Sequence, residues 1–468
     1  MTTLLLALRN LLRNRRRSLM TLLAMMIGLV AVLLFGGYIR DITYAMQSDF
    51  VRLTGHLQIQ RNGYFRQGSG NPAAYGIRDY ERILALMKRD PVLAPMLVVA
   101  TPTLQFGGIA GNFAAGVSRT IYASGSVVAD QNLMRQWNDY GLRVLSRHPT
   151  LAGTPADSAV IGVGVARVLQ LCGALEVPDC ESAPAPAPAQ DQARAGGLPD
   201  DIAALASDQA RPLAGGASAP TRIEILATNA HGAPNVAAVN VLRAERQGIK
   251  EFDDVHVALH LAQAQKLIFG ADPPQVTAIA VQLRHTAQLP AARARIEELL
   301  ASTANQEPLE VIDYETLNPY YGQTLAMFDV MFGFISVLIG AIVLFTVGNT
   351  MSMAVVERTA EIGTLRSIGL RRSGIRALFV TEGVLLGLLG AALGTLVAIG
   401  ASWVVTAIGL TWVPPGRIEP VPLAVRVASE HPMMAACAIG LVVVAALSAI
   451  LPAARAARMN IVDALRHV

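Results

Sequence analysis

Charged residues vanish from four stretches of the chain, 18–39, 330–356, 383–416 and 432–454. A helix needs about 20 such residues, at about 1.5 Å rise each, to cross about 30 Å of hydrocarbon. Buried core helices of soluble domains seldom stay uncharged for so long. The pattern therefore predicts an α-helical membrane protein with transmembrane helices at 18–39, 327–356, 383–407 and 432–453. Arginines precede the first run, as in an export signal. It lacks a small-x-small cleavage pattern, however, and is long for a signal core, so an uncleaved span is expected.

Between the first two spans, at 40–326, the periodicity alternates between two kinds. "GHLQIQ" and "TRIEILAT" have the period of two expected of strands, whereas "DYERILALMKRD" and "PAARARIEELLAST" have helical spacing. A large α+β domain is expected there. From 182 to 220 the text turns to Pro, Ala and Gly with few large apolar residues, which predicts a disordered insertion. Ahead of the first span, Leu8, Leu11 and Leu12 alternate with arginines, so 1–17 reads as an amphipathic helix lying on the cytoplasmic membrane surface. A loop at 408–431 and a tail at 454–468 complete the layout.

Composition agrees with the spans: 53% of residues are hydrophobic, 15% are charged, and mean hydropathy is +0.42. Charge adds an orientation. Arg9, Arg13, Arg15, Arg16 and Arg17 precede the first span with no acid among them, and five more arginines lie in 355–379. Residues 40–329 hold 23 Lys and Arg against 28 Asp and Glu. The positive-inside bias puts both termini and the 357–382 connection in the cytoplasm and the large insert outside. The basic balance thus belongs to membrane flanks, and a nucleic-acid partner is not expected. Cys172 and Cys180 fall in the insert, where an oxidising compartment would permit a disulfide; two free thiols are the other reading.

Catalytic patterns are lacking. The chain has no GxxxxGK[ST] loop, HExxH or GxSxG, so any ATP hydrolysis must come from another polypeptide. His256 and His260 are four apart, but Val255, Val257, Leu259 and Leu261 alternate around them as in a strand. That spacing separates the two rings by about 13 Å and predicts a solvated strand face rather than a metal pair. No cofactor or metal is expected. The spans carry no acid or base of the kind that ion-driven carriers need. Gly28, Gly36 and Gly37 in the first span, and Gly383, Gly387, Gly390 and Gly394 in the third, provide close-packing positions for neighbouring helices.

The connection between the second and third spans is unusual. In "VVERTAEIGTLRSIGLRRSGIRALF", Ile362, Leu365 and Ile368 fall on one side of a helix, framed by Glu357, Arg358, Glu361 and Arg366. Gly369 is placed to end that helix in a left-handed cap, and Ser373 to cap the next. The expected result is a helical elbow under the membrane, with an apolar ridge in a charged frame suited to docking a cytoplasmic protein.

The segment "NTMSMAVVERTAEIGTLRSIGLRRSGIRALFVTEGVLLGLLGAALG" resembles the signature of the FtsX/MacB-like permeases of ABC transporters, a group that includes lipoprotein-releasing permeases. "ALRNLLRNRRRSLMTLLAMMIG", "GHLQI", "AVIGVGVARVLQL" and "PAARAARMNIVDALR" extend the likeness to both ends of the chain. The resemblance implies a bacterial inner-membrane permease that pairs with a second copy or a paralogue and binds two cytoplasmic ATPase subunits, which hold the ATP and Mg. It assigns the ATPase contact to Glu357, Arg358, Glu361, Ile362, Leu365, Arg366 and Gly369. It also implies mechanical work on a substrate already on the outer side, with membrane lipids and a periplasmic carrier or adaptor as further partners. The cargo expected is a lipoprotein or lipid-like molecule. The rival expectations are a tripartite exporter of drugs or peptides and a signalling protein that switches on a cell-wall hydrolase.

Overall fold

Uninterrupted apolar sequence with small residues at intervals gives long helices, and the four longest helices of the computed structural model arise from the four apolar runs. The structure describes residues 2–13, 15–142, 151–181, 221–302, 307–413 and 420–460. The segment 182–220 and most of the expected tail therefore lie outside the described residues. Counting helices of nine residues or more among those described, the order is α1 (Thr2–Arg13), α2 (Arg15–Thr54), α3 (Tyr80–Arg89), α4 (Leu261–Phe269), α5 (Leu289–Ser302), α6 (Pro319–Glu357), α7 (Thr359–Ser367), α8 (Arg372–Ile408) and α9 (His431–Arg458). The chain divides into two units.

The helical unit comprises Met1–Gln47, Pro319–Trp412 and Val421–Val468. In it α2, α6, α8 and α9 are each long and apolar enough to cross a membrane. Their shared core is built from Met25, Leu29 and Leu33 of α2, Val343 and Val347 of α6, Leu386 and Ala391 of α8, and Leu441 and Ala445 of α9. The outward faces are apolar too: Val330, Val337 and Phe345 of α6, Trp403 of α8 and Leu451 of α9 are exposed. A bundle apolar on both its inner and outer faces is suited to lipid, not water. The helices outrun the predicted spans. Helix α2 continues 15 residues past Ile39, and α8 begins eleven residues before Gly383, so the second half of the 357–382 connection is already part of the third long helix.

The second unit, Ser48–Asn318 with Val413–Pro420, is the α+β insert. Its strands are β1 (Leu57–Arg61), β2 (Leu97–Asn112), β3 (Val117–Ser126), β4 (Ser158–Gly162), β5 (Thr221–Thr228), β6 (Pro234–Glu245), β7 (His256–His260), β8 (Ala278–Leu283) and β9 (Leu309–Asp313). They pair in the order β3-β7-β4-β6-β5-β2-β8-β1-β9, and β3 returns to pair with β2, so six strands close a ring around Phe106, Ile161, Ile225 and Leu259. Closure removes two edges that would otherwise be open to pairing with other chains. Strands β8, β1 and β9 extend from β2 and carry α3 and α5 over a second core of Leu57, Ile59, Ile83 and Ile296.

His256 departs from the sequence expectation. It lies on a strand, as predicted, but β7 is flanked by β3 and β4 inside the ring, and the ring stacks on Phe252 with 4.5 Å between centroids. Its imidazole is buried, and burial, reinforced by Arg135, depresses its pKa to about 3. His56, at the start of β1, is buried as well. Its Nδ1 accepts the Leu283 N–H at 3.0 Å, and burial lowers its pKa to about 4 against a smaller opposing pull from Asp139. Cys172 and Cys180 are joined in a disulfide, and the Val177 N–H donates to the Cys172 carbonyl inside the loop it closes.

Candidate functional site

The elbow begins where α6 stops. Arg358 leaves helical geometry (φ −107°, ψ 19°), and the Thr359 hydroxyl donates back to the Val356 carbonyl at 2.7 Å. Helix α7 then runs for nine residues to Ser367. It ends in a left-handed turn at Gly369 (φ +100°), where Gly369 N–H donates to the Arg366 carbonyl and Leu370 N–H to the Leu365 carbonyl, both at 3.1 Å. This paired bonding satisfies carbonyls that a helix end would otherwise leave open. Arg371 occupies the N-cap position of α8, with no side-chain cap bond; the expected cap, Ser373, falls two positions later, because the chain re-enters the helix at Arg372.

The expected apolar ridge is split. Ile362 turns inward and packs with Val355, Ile375, Phe379 and Ala453, with Leu365 half-buried beside them. Ile368 instead stands 79% exposed and Leu370 40% exposed at the tip, next to exposed Arg371, Arg372 and Arg376. Arg366 donates to the Met459 carbonyl, which ties the elbow to the end of α9. The outward surface is therefore a basic tip with two aliphatic side chains.

Behind the tip lies a polar network for which the sequence reading had no place. Arg358 forks between two acids, with Nε donating to Glu361 at 2.9 Å and Nη1 to Glu382 at 3.0 Å, and its guanidinium lies 5.7 Å from the centre of the Phe379 ring. Glu382 is buried in α8 and also accepts from Asn10 Nδ2 of α1 at 2.6 Å. Arg13 pairs with Glu361, and Arg17 with Glu357. Partial burial works to raise the Glu361 pKa, but the hydrogen bonds and charges of Arg358 and Arg13 prevail and hold it below the usual carboxylate range. The signal available in the sequence was the spacing of Asn10, Arg13 and Arg17 along one side of a helical run; nothing there identifies their partners more than 300 residues away.

A second polar cluster lies at the other end of the apolar section of α2. Arg426 Nε donates to Asp41 at 2.8 Å, and the Tyr44 hydroxyl donates to Glu430 at 3.0 Å. From Arg17 to Asp41, α2 rises about 36 Å, close to the thickness of a bilayer's hydrocarbon core. Between these clusters, glycines set the contacts. A Cβ on Gly383 would stand 2.8 Å from Ala449 Cβ, and one on Gly387 would stand 3.0 Å from Ala445 Cβ, both on α9. On Gly390 and Gly394 it would meet Met25 and Leu29 of α2 at 3.2 and 3.0 Å. Gly28 approaches Ile339 of α6 in the same way. Among the described residues, no cluster of three or more His, Cys, Asp or Glu side chains could hold a metal.

Residues 333–461 match the FtsX-like permease C-terminal family, and residues 18–177 match the MacB-like periplasmic core domain. The macrolide export ATP-binding/permease protein MacB of Bordetella avium is 29% identical over 168 residues, which is 36% of this chain and 25% of that protein. The ABC transporter permease YtrF of Bacillus subtilis is 45% identical over 73 residues, 16% of each chain. The lipoprotein-releasing system transmembrane protein LolC of Neisseria meningitidis is 25% identical over 170 residues, 36% of this chain and 40% of that protein. The chain thus spans less than half the length of these curated relatives. Both parts of the permease plan are matched, in order, at the helices and the insert where the structure places them, and the chain belongs to the FtsX/MacB-like permeases.

Proposed function

We propose that this permease is the membrane subunit of an ABC transporter in a bacterial inner membrane, with the insert in the periplasm, both termini in the cytoplasm, and ATP hydrolysis supplied by a separate chain. The observation that carries the reading is the elbow: a short capped helix between two membrane-length helices, presenting Ile368 and Leu370 within a basic frame. Aliphatic anchors ringed by charge suit a protein groove, and the positive-inside bias puts that tip on the side where ATP is found. The cargo we favour is a lipoprotein or lipid-like molecule taken from the outer leaflet. In support, a lipoprotein-releasing protein is among the relatives, and the uncharged spans offer no lining for a hydrophilic solute. A second reading, efflux through a periplasmic adaptor, is favoured by the macrolide export relatives.

Purification in mild detergent followed by mass spectrometry tests the reading. An ATPase subunit should accompany the wild-type chain and be lost on Ile368→Asp or Leu370→Asp, while membrane insertion is retained. An ATPase held equally well by both variants would remove the tip from the interface. The cargo reading predicts acylated proteins in the same preparation, and an adaptor in their place would favour efflux.

A further inference from the structure

The N-terminal helix α1 is held to the elbow by more than apolar contact. Asn10, Arg13 and Arg17 reach three different acids, one at the end of α6, one on α7 and one on α8. Those acids, Glu357, Glu361 and Glu382, lie on the three elements that make up the elbow. The central link is buried: Arg358 and Glu382 have side chains only 10% and 4% exposed, and Asn10 bonds the same Glu382 oxygen that Arg358 does. Breaking into such a pair leaves a charge without its partner in a poorly solvated place, so the assembly favours one arrangement over a continuum. The outer pairs, Arg13–Glu361 and Arg17–Glu357, are more exposed and contribute direction more than strength. A peripheral helix that needed only to rest on lipid headgroups would keep its arginines free for them. Here Arg13, at the end of α1, and Arg17, in the first turn of α2, are committed to the elbow's acids.

We infer that α1 is a clamp that fixes the elbow's angle, and that Asn10, Arg13 and Arg17 are positioning residues for ATPase coupling. The inference rests on the elbow being the ATPase contact, but the clamp itself can be measured without any ATPase. Ala7 of α1 is fully buried, so its accessibility reports whether α1 is seated. Cys437 is a free cysteine, whereas Cys172 and Cys180 are bonded to each other, so an Ala7→Cys, Cys437→Ser chain carries one reactive thiol.

In lipid nanodiscs, N-ethylmaleimide should modify that thiol slowly in the parent chain and at least tenfold faster after Arg13→Glu with Arg17→Glu. Adding Glu357→Arg, which restores the pair at position 17 with inverted polarity and leaves Glu361 bonded to Arg358, should bring the rate part of the way back. Asn10→Ala, a milder change that leaves every charge in place, should give an intermediate rate. With the co-purified ATPase, the Arg13→Glu, Arg17→Glu chain should still bind the subunit but lose most of its hydrolysis coupling. Unchanged alkylation in both Asn10→Ala and the double variant would overturn the clamp. Faster alkylation with full coupling would overturn the positioning role and leave α1 as a membrane anchor. Absence of any co-purified ATPase would sink the elbow as a docking site, while the alkylation rates would still decide the clamp.

Discussion

Leu370 donates its backbone N–H to the Leu365 carbonyl at 3.1 Å, across the turn that reverses the chain between α7 and α8. The bond exists because Gly369 takes φ +100°, a conformation that side chains with a Cβ resist by about 1–2 kcal/mol. No atom of the described residues lies within 4 Å of a Cβ built on Gly369, so among them the cost of substitution is conformational alone. Gly369→Val should therefore loosen the elbow, seen as faster tryptic cleavage at Arg371 and Arg372 in the folded, membrane-inserted chain. Gly369→Asn, which tolerates the left-handed region, should be cleaved nearly as slowly as wild type. Equal cleavage of the two variants would show that the turn does not depend on this torsion.

The glycines of α8 allow an internally controlled comparison. Gly387→Leu and Gly394→Leu would push side chains into Ala445 and Leu29, whereas no atom of the described residues lies within 4 Å of the Cβ position of Gly400. Overpacking of this kind costs about 1–3 kcal/mol, so the first two variants should lower the melting temperature in detergent by several degrees. Gly400→Leu should leave it unchanged or raise it. A uniform response across the three positions would mean that helix propensity, not packing, decides.

Acid should weaken the insert through two buried rings. Both His56 and His256 have pKa values depressed below that of the free side chain, to about 4 and about 3. Between about pH 6.5 and those values the unfolded chain binds protons that the folded chain refuses, so stability falls as pH falls, by up to about 1.4 kcal/mol per pH unit for each ring. Below about 4 the His56 contribution levels off. Hydrogen exchange at the Leu283 amide, which is bonded to His56 Nδ1, should quicken between pH 7 and 4.5 after correction for the intrinsic rate. Replacing His56 with Gln should flatten that dependence. Protection constant over this range would contradict the assignment of a neutral, accepting ring.

Much of this architecture can be read from spacing along the chain. The alternation in "TRIEILAT" coincides with β5, Thr221–Thr228, and "DYERILALMKRD" contains α3, because period and end signals are local properties. What could not be read is pairing at a distance. Arg13 and Glu361 are 348 positions apart, and either alone looks like an ordinary flank charge. The same holds for His256: alternation places it on the face of β7 opposite the core residues Val257 and Leu259, and Phe252, which stacks on it, covers it there, while His260 on the same face stays half-buried. For the elbow, helical spacing put Ile362 and Ile368 on one ridge, yet Ile362 turns to the chain's own interior because α8 and α9 lie against it. Covering partners, not period, decide which side of an amphipathic helix faces out.

The division of glycine contacts along α8 restricts how the bundle can change shape. Gly383 and Gly387 mesh with α9, and Gly390 and Gly394 mesh with α2. A roll of α8 by one residue, about 100° of rotation, would swing neighbouring side chains into backbones on both flanks. Helices α2, α8 and α9 must therefore travel as one block. Helix α6 meets α2 as closely, since Cβ atoms on Gly28 and Gly36 would stand 3.0 Å from Ile339 and 2.8 Å from Phe332. The looser seam is the one between α6 and α9, where Cβ atoms on Gly340 and Gly348 would find Val444 and Ser448 4.0 and 3.7 Å away.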